Sequence, residues 1–313
     1  MSFGLCVLAL ELEAQLTTHH SLLTTRVNIS VISSPYYLGH RDVGMGAGPT
    51  AFVNGGAVET LRDSGHDVSH VTLDFDGSVD HEVGATFAVN TLLAGQVRRA
   101  VGSGAFPIVL SGNCCSCVGT LAGLGLAEVA VAWFDAHGDF NSPDTTGSGF
   151  FDGMGLHIAT GNSWRTIAAT VEGFRPVAER NVILAGVRDL DGAEQELIES
   201  SAITTVDYAT LKAEGIAGGL AAPLDAVSSR IRDLYLHVDI DVLDPVVAPA
   251  NEYQPADGLR LEELSLALEM IGNRFQVRAA ALACYNPAVD GTGIGCEAGL
   301  EVLRMFGDIG WGP

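Results

Sequence analysis

Two short stretches of this sequence place ionisable residues at alternate positions of otherwise apolar runs. The first is Trp133-Phe134-Asp135-Ala136-His137-Gly138-Asp139, and the second is His237-Val238-Asp239-Ile240-Asp241-Val242-Leu243-Asp244-Pro245. Side chains alternate along an extended chain, so Asp135, His137 and Asp139 share one side, as do His237, Asp239 and Asp241. Burying so many ionisable groups is expensive unless an opposite charge compensates, and a divalent cation is the simplest compensator. Carboxylates with one imidazole suit Mn²⁺, with Fe²⁺, Co²⁺ or Zn²⁺ as competitors, and two such clusters supply enough carboxylates to bridge two ions. An aspartate that merely caps the helix after a strand explains one isolated Asp-x-Asp, but not two matched clusters. The histidines at 19, 20, 40, 66, 70, 81 and 157 show no recurrent carboxylate spacing and read as solvent-facing or core residues. His237 either supports a ligand from behind or is a hydrogen-bonded core histidine.

Both clusters end apolar runs, and such runs recur. Val27–Ser33, Val68–Leu73, Phe106–Leu110, Val129–Phe134, Val182–Val187, Ile203–Val206, Leu234–Ile240 and Val277–Ala283 are short, rich in β-branched residues and bounded by turn residues. Between them, Thr86–Val101, Thr120–Leu126, Gly192–Ser200, Ala221–Arg232, Leu261–Ile271 and Gly295–Phe306 have helical composition. Strands alternating with helices predict an α/β fold, a three-layer α/β/α sandwich around a mainly parallel sheet of about eight strands buried on both faces. Ligands of such sheets gather beyond the carboxyl ends of the strands, where both clusters fall.

At 313 residues, 47% hydrophobic and 17% charged, the chain can bury a large core. No linker or charge block divides it, so residues 27–313 read as a single domain and residues 1–26 as an N-terminal arm without an assigned role. Lys+Arg 16 against Asp+Glu 38 gives a formal charge of −22, which argues against nucleic acid and anionic lipid as partners. No stretch approaches the roughly 20 apolar residues of a membrane helix, and Phe3 to Leu10 lacks the basic lead of an export signal. Six cysteines are too few for a disulfide scaffold, which fits a reducing cytoplasm.

With these motifs in hand, the sequence from about residue 27 onward resembles the ureohydrolase family, which includes arginase, agmatinase and formimidoylglutamase. The resemblance rests on Pro35 and Gly46-Ala47-Gly48-Pro49, on the Asp-Ala-His-x-Asp motif at Asp135–Asp139, and on Asp-x-Asp-x-x-Asp-Pro at Asp239–Pro245. It implies a dinuclear metal hydrolase acting on a small guanidino, hydroxyguanidino or amidino compound, with Asp135, His137, Asp139, Asp239 and Asp241 as ligands and Asp135 and Asp239 bridging. It also implies a homo-oligomer, and Asp139 as the group that passes a proton to the departing amine.

Three positions depart from the family pattern. Ser111-Gly112-Asn113-Cys114 stands where the family has Gly-Gly-Asp-His, so Cys114 occupies the place of a metal-binding histidine. Cys114 either ligates, favouring a softer ion such as Fe, Co, Ni or Zn over Mn, or is a small side chain packed in a tight turn like Cys115 and Cys117. The same exchange is similar to that of Nω-hydroxy-L-arginine hydrolases. Asp152 falls where arginase carries a proton-relaying histidine and is expected to take over acid–base work. Cys284 falls where the family glutamate pairs with the guanidinium, and Glu252 either supplies a carboxylate in its place or is an exposed loop residue. Asn141 and Ser148 match positions that hold an amino acid's α-carboxylate, although Asn and Ser are also ordinary turn residues. The competing reading is a catalytically silent or single-metal relative serving in ligand binding or assembly; metal content separates the two.

Overall fold

A computed structural model of the protein describes residues 26–309. The expected N-terminal arm therefore lies outside the described residues, apart from Arg26. Eight strands form one sheet: β1 (Asn28–Ser34), β2 (Asp67–Thr72), β3 (Phe106–Ser111), β4 (Ala130–Phe134), β5 (Val182–Ala185), β6 (Thr204–Val206), β7 (Asp233–Asp239) and β8 (Gln276–Ala283). All pairings within it are parallel, in the order β2-β1-β3-β8-β7-β4-β5-β6. Each strand lies within a residue or two of the limits expected from sequence.

Alternation along the strands divides the apolar side chains between two cores. Phe106, Ile108 and Leu110 of β3, with Ala130, Ala132 and Phe134 of β4, face helices Ala57–Asp63, Tyr208–Ser228, Leu261–Gly272 and Ile294–Asp308. Val109, Val131 and Trp133 face the other way, onto Glu82–Gly102, Cys117–Leu124 and Gly155–Ala159. Burial on both faces is what excludes water from the middle of the sheet and produces the three layers. Each large side chain removed from water in this way contributes about 1.5–3 kcal/mol.

One helix departs from expectation: it runs from Tyr208 to Ser228 rather than from Ala221 to Arg232. Asp207 caps it by accepting from the Thr210 amide at 2.7 Å, and Gly215, at φ 73°, breaks the helix internally while Pro223 lies inside it. The glycine-rich run obscured the helical period. The short helices Gly48–Asn54 and Ala57–Asp63 were also not anticipated.

The strand order brings β3, β8, β7 and β4 side by side, so the segments leaving their carboxyl ends converge. The turn after β3 is tight because Gly112 lies against neighbouring backbone: a Cβ there would stand 2.6 Å from the Tyr36 carbonyl oxygen and from the Gly46 Cα. Neither obstacle is a flexible side chain. Gly112→Ala is therefore expected to destabilise the fold by about 1–3 kcal/mol, read as a lower urea midpoint; an unchanged midpoint would show that this turn yields freely.

Candidate metal centre

Each of the four central strands delivers donors to one place. β4 runs into Asp135, His137 and Asp139, β7 into Asp239 and Asp241, the turn after β3 into Cys114, and β8 into Cys284. Hydrogen bonds fix the carboxylates. Asp135 accepts from the Trp133 indole at 3.0 Å and from the His137 amide at 2.7 Å. Asp241 accepts from the Ala136 amide at 3.2 Å and from the Asn251 side chain at 3.3 Å, and Asp239 accepts from the Asp241 amide at 2.9 Å. His137 Nδ1 lies 3.4 Å from Asp135 and 3.2 Å from Asp241.

Three donor sets result, in each of which one ligand atom per residue lies within 4.8 Å of the others: Asp135, His137 and Asp241; Asp135, Asp239 and Cys114; and Cys114, Asp152 and Cys284. Asp135 links the first two sets, and Cys114 the last two. Asp139 is beside them, buried, with its Oδ2 lacking any hydrogen-bond partner among the described residues. An unpartnered carboxylate oxygen in such a place is costly for the chain alone and fits a cation-binding role.

The electrostatics agree. Burial, reinforced by Asp241, raises the Asp135 carboxyl to about 6. Asp139 is raised well above the usual range by burial and then by Asp135, Asp152 and Asp239; Asp239 is raised by burial and then by Asp241 and Asp135. Burial opposes ionisation of both His137 and Asp241, but their mutual attraction wins: the imidazole rises to about 12 and the carboxyl falls to about 2. In the metal-free chain protons thus balance part of the charge that cations would otherwise balance.

The remaining expected residues separate into those facing the centre and those turned from it. A cavity of about 730 Å³, its solvent-open mouth included, has Cys114, His137, Asp139, Asp239, Asp241 and Cys284 in its floor, and Asn141, Ser148 and Asp152 also line it. Asp152 accepts from the Cys114 and Cys115 amides at 3.0 and 2.9 Å, so it clamps the turn after β3 as well as facing the cavity. Glu252 does not line the cavity; exposed, it accepts from the Asn286 side chain at 2.8 Å, while its neighbours Asn251 and Tyr253 face inward. His237 is fully buried behind the floor, stacked on Trp133 with ring centroids 3.7 Å apart, its Nε2 3.2 Å from Cys114 Sγ. Its Nδ1 lies 2.8 Å from the Tyr235 hydroxyl. His237 is thus a buried, hydrogen-bonded histidine, and the side chain it contacts at the centre is Cys114. Cys115 and Cys117 direct their sulfurs to the Phe151 and Gly155 carbonyl oxygens and pack, as expected.

Sequence reasoning missed Asp189, Asp191 and Glu194, which also line the cavity. They follow the carboxyl end of β5, so the strand-end rule that found the metal clusters would have found them too. Burial pushes the Glu194 carboxyl up to about 7.

Comparison with known proteins gives this geometry a context. A sequence model of the arginase family matches residues 27–307. An arginase of Bacillus subtilis (strain 168) is 30% identical over 272 residues, which are 84% of this chain and 91% of that protein. An arginase of Staphylococcus aureus (strain COL) is 27% identical over 299 residues, 91% and 98% of the two chains. The crystal structure of arginase from Bacillus cereus superposes with a TM-score of 0.81 at 27% identity, covering 90% of this chain and 98% of that one. Together with the buried donor sets, these likenesses define a metal-dependent hydrolase of the ureohydrolase class, acting on amidino or guanidino compounds. The chain belongs to the arginase family.

Stability should report the balance of protons and cations. A carboxyl raised in the folded state stabilises while protonated, and that contribution is lost as pH rises, for Asp135 between about 4 and about 6. His137 acts in the same direction, because a raised imidazole loses its contribution as pH rises above its ordinary value. Chelator-treated protein should therefore show a lower Tm at pH 8 than at pH 5, and Mn²⁺ should raise the Tm more at pH 8, where fewer protons compete for the ligands. A metal-free Tm that climbs between these pH values would contradict this account.

Proposed function

We propose that the chain is a two-cation hydrolase that cleaves a C–N bond of a weakly basic amidino compound, best represented by Nω-hydroxy-L-arginine, to an amine and a urea relative. The observation that carries this reading is Asp135, the carboxylate shared by the donor set of His137 and Asp241 and by that of Asp239 and Cys114. His137 and Asp241 would complete one site, and Asp239, Asp139 and Cys114 the other, with Mn²⁺ or a softer ion as occupant. When bound, the cations supply Lewis acidity, acidifying water and polarising the amidino group.

The side chains of the chain account for the rest. Asp139 lines the cavity, its Oδ2 lacks a hydrogen-bond partner among the described residues, and it is placed to pass a proton to the departing amine. At the mouth, Asn141 and Ser148 suit a carboxylate, while Asp189 and Asp191 suit an ammonium group, as an α-amino acid requires. Of the positions considered for pairing with a full guanidinium charge, none offers a free carboxylate: Cys284 carries a thiol, Glu252 is turned to Asn286, and Asp152 already accepts two amides. A buried cation without a counter-charge is strongly disfavoured, whereas a hydroxyguanidine is close to neutral at physiological pH.

The absence of a disulfide at the five described cysteines supports a reducing cytoplasm as its setting, and family membership supports a homo-oligomer in which residues 27–313 act as one unit. No helix among the described residues is long and apolar enough to cross a membrane.

Steady-state assays with Mn²⁺, Co²⁺, Zn²⁺ and Fe²⁺ test the substrate. The value of kcat/KM for Nω-hydroxy-L-arginine should exceed that for L-arginine by roughly tenfold or more; equal efficiency would show that another group neutralises the guanidinium. Asp139→Asn should lower kcat by roughly 10²–10⁴. Asp239→Ala should lose both turnover and bound metal, and full metal content in that variant would overturn the two-cation reading.

A further inference from the structure

Cys284 is one of two non-glycine residues at the centre with left-handed backbone, at φ 65°; the other is Asp139, at 48°. That conformation costs a cysteine about 1–2 kcal/mol and persists only where the surroundings impose it. Here β3 and the loop beyond β7 hold it: the Cys284 amide donates to the Ser111 carbonyl at 3.0 Å, and the Asn251 side chain donates to the Cys284 carbonyl at 3.1 Å. The consequence is that its sulfur lies in the cavity floor, 3.4 Å from Cys114 Sγ.

We propose that Cys114 and Cys284 together hold one soft divalent cation of the zinc class as a thiolate pair, with Asp239 as the third donor. The proposal rests on the metal-centre reading above and goes beyond it by assigning Cys284 a ligand role.

The distances suit such an ion. A tetrahedral cation with sulfur bonds of about 2.3 Å keeps its sulfurs about 3.8 Å apart, so the two thiols need to separate by only a few tenths of an ångström. Asp239 Oδ2 is 3.1 Å from Cys114 Sγ. Asp152 Oδ2, 3.8 Å from Cys284 Sγ, groups with the two sulfurs and is the alternative oxygen donor. Behind the pair, the imidazole of His237 contacts Cys114 Sγ and is itself held by Tyr235, the kind of support that orients a ligand. Burial keeps both thiols protonated in the free chain, so binding releases their two protons to solvent. Two sulfurs select against Mn²⁺ and for Zn²⁺ or Co²⁺.

X-ray absorption of the full chain carrying one equivalent of Zn²⁺ tests this without any substitution. Two sulfur neighbours at about 2.3 Å are expected; one or none overturns the pair. In chelator-treated protein titrated with Co²⁺, the near-ultraviolet thiolate-to-cobalt band should fall by about half in Cys284→Ser and in Cys114→Ser and vanish in the double variant, while Cys115→Ser leaves it intact. An unchanged band in folded Cys284→Ser returns Cys284 to packing and leaves the metal-centre reading standing. Two bound Mn²⁺ with no thiolate band for Co²⁺ also removes only the pair, whereas a chain that binds no metal removes both.

Discussion

The structure is organised around a concentration of buried negative charge that the chain cannot neutralise by itself. Asp135, Asp139, Asp239 and Asp241 are all buried at the ends of neighbouring strands, and among the described residues the one basic side chain inserted between them is His137. In the metal-free state the conflict is settled by protonation, since three of the four carboxyls are held above their ordinary range. Divalent cations settle it in a second way, by replacing those protons. The left-handed backbone at Asp139 and Cys284 belongs to the same constraint, because both residues leave a strand end in a direction that regular geometry does not provide.

Such a centre requires a scaffold that does not yield. The sheet is apolar on both faces, and its alternating side chains divide between two cores, so the strand ends are anchored from both sides. The loop beyond β7 is fastened separately. Arg188 donates to the Asp241 carbonyl at 2.8 Å, to the Val242 and Leu243 carbonyls at 3.3 Å, and through Nε to the Ala256 carbonyl at 3.1 Å. One guanidinium fork thus satisfies several backbone acceptors and sets a positive charge close to Asp241 and Asp135. Asn251 links the same loop to β8 by bonding both Asp241 and the Cys284 carbonyl.

What the sequence revealed follows from what is periodic in it. The eight strands were legible because buried parallel strands are short apolar runs, and the two aspartate motifs because period two survives into the strand ends. Helix Tyr208–Ser228 was half hidden because glycine and proline interrupt its period, and Arg188 was invisible because its partners are carbonyls some fifty residues or more away in sequence. At Glu252 the sequence left two readings open, and the structure turns this carboxylate to Asn286 while Asn251 and Tyr253 line the cavity. Local composition says which residues a loop carries and says little of which way each one points.

Cys114 and Cys284 are linked by position, since β3 and β8 are neighbours and their sulfurs touch. Judged separately, one departure from the family pattern weakens a metal site and the other weakens guanidinium binding. Judged together, on the proposed pairing, they would move negative charge within the centre: a thiol stands where a carboxylate would face the substrate, and a second sulfur that can become anionic would face the cation. Charge committed to an inorganic cation is no longer available to an organic one a few ångströms away, because both compete for the same desolvated anion. If the two sulfurs hold the ion as proposed, neither is left to pair with a guanidinium, and metal preference and substrate preference in this chain would be two expressions of one rearrangement.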